Sequence, residues 1–195
     1  MAKLYSSDLE TTSSLANSIE SQELSDIARA KASINNFISD AKRGTGIRGP
    51  AWEAALNKLA TYNNILEQRE RAVQALKSAI TSANNTMQAY LNGESFADDS
   101  KLDELNAEAE SLQSQIAEYR GKIAQLLKGK DENRNFYESQ ISNLESQLNE
   151  IMIKIDWLER LVPTSNAAAS SYADARSIIS ALESSINNFT VSEIK

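Results

Sequence analysis

The 195-residue sequence contains no histidine and no cysteine. Those two absences bear first on what its side chains can do. Histidine is the commonest general base and transition-metal ligand, and the cysteine thiolate is a strong nucleophile and soft ligand. What is left is a set of 27 acids, 20 bases and many hydroxyls. A di-iron site in a helical bundle needs Glu-x-x-His, which this sequence cannot supply. Asp98 and Asp99 stand together in a polar stretch. No full calcium-loop pattern surrounds them, so they read as a solvated acidic loop. No serine sits in a Gly-x-Ser-x-Gly turn. Gly44-Thr45-Gly46 and Gly49 gather before a helix. They lack the strand and the Lys-Ser/Thr ending of a phosphate-binding loop. The sequence is therefore read as non-enzymatic, with no catalytic residues, no metal ligands and no cofactor.

The remaining candidates are apolar and aromatic, and such side chains bind rather than react. Trp52 stands directly after the Gly-rich stretch. It either staples two helices together or anchors a partner, since Trp is enriched at binding hot spots. Trp157 lies beside Leu158 and near Met152 and Ile153. It widens an apolar face beyond what a two-helix seam covers, so a further helix is expected over it. Phe37, Leu56, Leu59 and Phe189 complete the set of partner-binding candidates.

Long helices must position these residues. Glycine (6) and proline (2) are scarce, whereas sheets need frequent turns and β-branched residues. Apolar residues recur at helical spacing over about 6–41, 51–92, 101–127, 133–162 and 167–189. Three of the six glycines and Pro50 fall between residues 42 and 50, the clearest turn in the chain. The second segment, at 1.5 Å per residue, makes a helix about 60 Å long. Ser100 is read as the start of the third helix, with Asp103 three residues on. Leu102, Leu105, Ala109, Leu112, Ile116, Tyr119, Ile123 and Leu126 alternate steps of three and four as a heptad seam. The seam resumes at Tyr137 with its phase shifted. Either two antiparallel helices form a hairpin around 128–133, the favoured reading, or one helix continues with a stutter. Pro163 to Asn166 is read as the end of the fourth segment.

Charge narrows the partners. The net charge is −7 and the pI about 4.8, which disfavours nucleic acid. Residues 41–93 nevertheless carry seven bases against three acids. That segment either pairs with an acidic neighbour in this chain or another, or forms a solvated face of mixed charge. No apolar run reaches the roughly 20 residues of a membrane span, so no membrane insertion is expected. The N-terminus lacks the build of a signal peptide.

A helix, a turn with Ile47-Arg48-Gly49, and a second long helix opening on Pro50-Ala51-Trp52 resemble the LXG domain of type VII secretion toxins, within the WXG-like superfamily. Ala83-Asn84-Asn85 through Leu102-Asp103-Glu104-Leu105 resembles that family's second half. Ile47 stands where the family has Leu, and Trp52 follows Gly49 rather than preceding it at Trp-x-Gly spacing. The resemblance implies a targeting domain of a bacterial protein, made in the cytoplasm and exported without a cleaved signal peptide. It further implies binding to small helical partner proteins and presentation of an export signal to a secretion ATPase. Tyr90 with Glu94, and Phe189 with Glu193, have the spacing of such signals.

The expectation is thus an all-α, elongated antiparallel bundle or coiled-coil stalk forming one domain over 1–195. Its expected function is partner binding for export. A self-associating coiled-coil scaffold in the cytoplasm is the alternative.

Overall fold

The computed structural model describes residues 2–43, 49–126 and 132–193, with side chains at 133–189 in the last stretch. The fold is an all-α helical bundle. A short strand β1 (Lys3–Tyr5) leads into α1 (Ser6–Arg43), followed by α2 (Pro50–Leu91) and a second short strand β2 (Phe96–Asp98). A 3-10 turn (Asp99–Lys101) then precedes α3 (Leu102–Gln125), α4 (Glu132–Glu159), α5 (Leu161–Ser170) and α6 (Ala173–Glu193). Contacts divide the chain into two compact units. One comprises residues up to Tyr5 and Gly93–Ser165; the other comprises Ser6–Asn92 and everything from Asn166.

In the second of these units α2 packs against both α1 and α6. Helix α1 runs antiparallel to α2, as three cross-pairs fix. Asn84 near the end of α2 bonds to Leu9 and Ser13 near the start of α1, Lys31 pairs with Glu70 at 2.5 Å, and Phe37 meets Trp52. Ile27, Ile34 and Leu66 form the core between them, with Ala30, Ile38 and Leu59 packed around it. The basic excess of α2 is partly met within the chain. Arg69 pairs with Glu23, and Lys77 with Glu20, both acids on α1. Arg69, which falls on the apolar stripe of α2 in the sequence, thus reaches sideways to the neighbouring helix. The Ser/Thr-rich start of α1 is helical from Ser6. Its Thr11 and Thr12 hydroxyls donate to the carbonyls of Ser7 and Asp8 one turn back.

In the other unit α3 and α4 lie side by side as a hairpin, so the continuous-helix alternative does not hold. Ala109, Leu112 and Ile116 face Leu144, Ile151 and Ile155, flanked by Leu102, Leu105, Tyr119, Ile141 and Leu148. Arg120 bridges to Glu145 at 2.6 Å across the seam.

Four boundaries differ from the expectation. The chain does contain strands. Residues 3–5 pair antiparallel with 96–98, Lys3 opposite Asp98 and Tyr5 opposite Phe96. Three residues are too few for an alternation signal. Ser100 does not cap α3. The N-cap position of α3 is Lys101, which makes no side-chain cap bond; Asp98 instead caps the preceding 3-10 turn, its carboxylate accepting from the Ser100 backbone N–H at 3.0 Å and hydroxyl at 2.6 Å. Pro163 does not end the fourth helix but sits in the first turn of α5. A proline has no N–H to give the carbonyl four residues back, here that of Glu159, where α4 stops. The ladder resumes with the Thr164 N–H donating to the Arg160 carbonyl at 3.0 Å. The expected single helix from 167 is instead broken at Ser171 and Tyr172. Neither Gly nor Pro marks that break.

The small sheet is held by charge as well as by its ladder. The Ala2 N–H donates to the Asp99 carboxylate at 2.7 Å, and the Lys3 ammonium lies 2.7 Å from Asp98. The bond from Lys3, then the hydroxyl and N–H of Ser100, hold the Asp98 carboxyl down at about 2. A carboxylate whose pKa falls on folding stabilises the folded form above its unfolded value near 3.8, and that contribution is lost as pH falls through about 2. Acid should therefore loosen this clasp between about pH 4 and pH 2. The amide resonances of Leu4 and Ala97 report it. Asp98→Asn has no charge to lose and should abolish the local transition. An unchanged transition in that variant would refute the assignment.

Candidate interaction site

The residues singled out in the sequence come to three places. Gly49 caps α2 with φ +129°, a conformation that an L side chain rarely adopts. Its carbonyl accepts from the N–H groups of Trp52 at 3.0 Å and Glu53 at 3.1 Å. Pro50 opens the helix, where its missing N–H costs nothing. Ile47 lies outside the described residues. The Trp52 side chain leans on Phe37 of α1, with ring centroids 6.1 Å apart at 51°. Trp52 is half-buried, while Phe37 is 51% exposed. The stapling role is thus present, and the pair still offers apolar surface at the turn end of the hairpin. Leu56 is half-buried one turn along, and Leu59 reaches the α1–α2 core.

Phe189 lies elsewhere, against Tyr62 between α6 and α2, at 6.0 Å between centroids. Trp157 belongs to the other unit and is half-buried on α4. Nearby Met152 and Ile153 are exposed within the described chain. The six partner-binding candidates are distributed over both units. Phe37, Trp52, Leu56 and Leu59 share the turn-proximal part of the α1–α2 hairpin, Phe189 packs on the part of α2 that meets α6, and Trp157 is in the other unit.

Of the export-like pairs, Tyr90 sits half-buried in the last turn of α2 and Glu94 is exposed beyond its end. Between them the helix closes on Asn92 in the left-handed conformation, φ 47°, its N–H donating to the Gln88 carbonyl. The Glu193 side chain lies outside the described side chains. Asp98 and Asp99 are engaged with Lys3, Ser100 and Ala2. Among the described residues no group of three or more acids could hold a metal ion. No described helix is long and apolar enough to cross a membrane.

Two features escaped the sequence reading. Leu15 and Ile19 on α1 are 58% and 46% exposed. Ile19 lines a narrow, mostly apolar cleft with Ala16, Val73, Leu76 and Ile80, edged by the Glu20–Lys77 pair. Helical periodicity over 6–41 marks an apolar face without saying whether anything covers it. Asn84, at 6% exposure, is buried at the α1–α2 interface. Its amide donates to the Leu9 carbonyl at 3.0 Å and to the Ser13 hydroxyl at 2.7 Å. A polar residue within an apolar stripe was the available signal. No family model, no curated protein and no solved structure matches the chain.

Proposed function

We propose that this chain is a non-enzymatic, partner-binding module of LXG type that targets a bacterial protein for type VII export. The observation that carries the reading is the antiparallel α1–α2 hairpin. Its second helix opens on Gly49, Pro50 and Trp52, and its turn end presents the Phe37–Trp52 pair. The exposure of the large apolar side chains Leu15 and Ile19 on α1 lends support, because exposed apolar surface can mark an association site. On this reading small helical proteins pack on the hairpin, and the complex, rather than the lone chain, engages the secretion ATPase. Tyr90 and Glu94 at the end of α2 are the candidate signal for that step.

Co-expression with the small helical proteins encoded beside it should yield a complex that survives size exclusion. Phe37→Ser, at a half-exposed position, should weaken that complex about tenfold, as loss of an interface aromatic does, without changing helicity. A chain that stays monomeric with every such neighbour would overturn the proposal. A self-associating scaffold is the second reading, favoured by the exposure of Met152 and Ile153 on α4 as well as of Leu15 and Ile19 on α1. Light scattering separates the two. A concentration-dependent homo-oligomer supports the scaffold, and a monomer at high concentration removes it.

A further inference from the structure

The stripe of α2 that α1 covers is self-complementary when its direction is reversed. Its heptad positions of one kind are Leu56, Asn63, Glu70, Lys77, Asn84 and Leu91. The alternate ones are Leu59, Leu66, Val73, Ile80 and Met87. We propose that this seam also pairs, antiparallel, with α2 of a second copy, and that α1 masks it in the single chain. The proposal stands independently of the export reading. It also survives a monomeric parent chain, which would remove the scaffold reading.

Helices α1 and α2 already pair like heptad positions with like, as Ser13 with Asn84 and Glu20 with Lys77 show. Two copies of α2 layered in the same way have a two-fold axis at Val73. Glu70 then faces Lys77 of the second copy, and Asn63 faces Asn84. Leu66 faces Ile80, Leu59 faces Met87 and Leu56 faces Leu91, each pair occurring twice. No layer sets like charges together or an amide against an aliphatic side chain.

Helix α1 fits the seam less closely. The register fixed by Ser13–Asn84 and Glu20–Lys77 sets Ile34 against Asn63 and Ile27 against Glu70. Among the described residues Asn63 Oδ1 is buried with no hydrogen-bond partner. A buried acceptor left unmade is costly, and the Asn84 amide of a second copy would supply its donor. Glu70 turns aside from Ile27 to reach Lys31. What favours α1 is the tether. It precedes α2 by only a few residues, and a partner on the same chain acts at millimolar effective concentration. A second copy takes over when the grip of α1 weakens.

Two charge changes separate the pairings. With Glu70→Lys and Lys77→Glu together, Lys31 and Glu20 of α1 each meet like charge, while two α2 seams still set lysine against glutamate. Either change alone sets like charges in both pairings. In sedimentation of the full chain the double variant should dimerise about tenfold more tightly than the parent, and each single variant should match the parent. The chain has no cysteine, so Gln74→Cys, at an exposed position beside the axis, carries a nitroxide at that site alone. In the double variant two such labels should lie within about 25 Å, the spacing of packed helices plus two label arms. The proposal falls if the double variant stays monomeric, whether or not helicity is kept. It also falls if a single change promotes the dimer as strongly, or if the labels of the dimer lie farther apart.

Discussion

Ile27→Ala should lower the stability of the unit containing α1, α2 and α6 by about 3 kcal/mol, the cost of removing a buried aliphatic side chain and leaving part of its volume empty. Ile27 is only 2% exposed and packs with Ile34 and Leu66 at the centre of the α1–α2 interface. In urea the midpoint reported by amides of that unit should fall by about 1–2 M. The comparison that decides the point is Glu23→Gln. That change removes the partner of Arg69, in a pair whose side chains are 30% and 46% exposed. Water screens such a pair and both side chains lose rotamer freedom, so the change should cost no more than about 1 kcal/mol. Equal effects of the two substitutions would show that charge rather than burial holds the helices together. The expected gap assigns stability to the apolar stripe rather than to the ion pairs.

The same division explains what was legible in the sequence. Helix α2 was placed almost to the residue, as its ends carry strong local signals: Pro50 after Gly49 at one end, and an Asn-Gly pair at the other. The α3–α4 seam was legible because steps of three and four persist through it. Tertiary decisions were not legible. The strand pair joins Lys3–Tyr5 to Phe96–Asp98 across more than ninety residues, with nothing local to announce it. The break at Ser171 and Tyr172 lies in an Ala/Ser run that any helix would accept. The covering of an apolar stripe also cannot be read from its period. Leu15 and Ile27 have the same character in sequence, yet one is 58% and the other 2% exposed. At the candidate site the turn residues and Trp52 were legible by type. That Trp52 would pair with Phe37, while Phe189 and Trp157 go elsewhere, depended on how the helices fold back.

Asn84 carries the second large prediction. An antiparallel pair of long helices has several apolar registers of similar burial, and apolar contacts alone discriminate poorly among them. Asn84 is 6% exposed, and its two bonds to Leu9 and Ser13 form in only one of those registers. Sliding α1 would leave the amide buried without a partner, at a cost of about 1–3 kcal/mol. Asn84→Ala removes both bonds and leaves the Ser13 hydroxyl without this donor, so it should cost about 2 kcal/mol in urea unfolding. Asn84→Leu should separate stability from specificity. It replaces the polar contact with apolar volume, and its stability should stay within about 1 kcal/mol of the parent. The hairpin should then lose its single register. Amide resonances near Ser13 and Asn84 would double or broaden, or sedimentation would show a dimer in which α2 pairs with another copy. If the leucine variant keeps one sharp set of resonances and one monomeric species, Asn84 does not set the register. The alignment must then reside in the Glu20–Lys77, Glu23–Arg69 and Lys31–Glu70 pairs. Their simultaneous neutralisation would be the decisive variant.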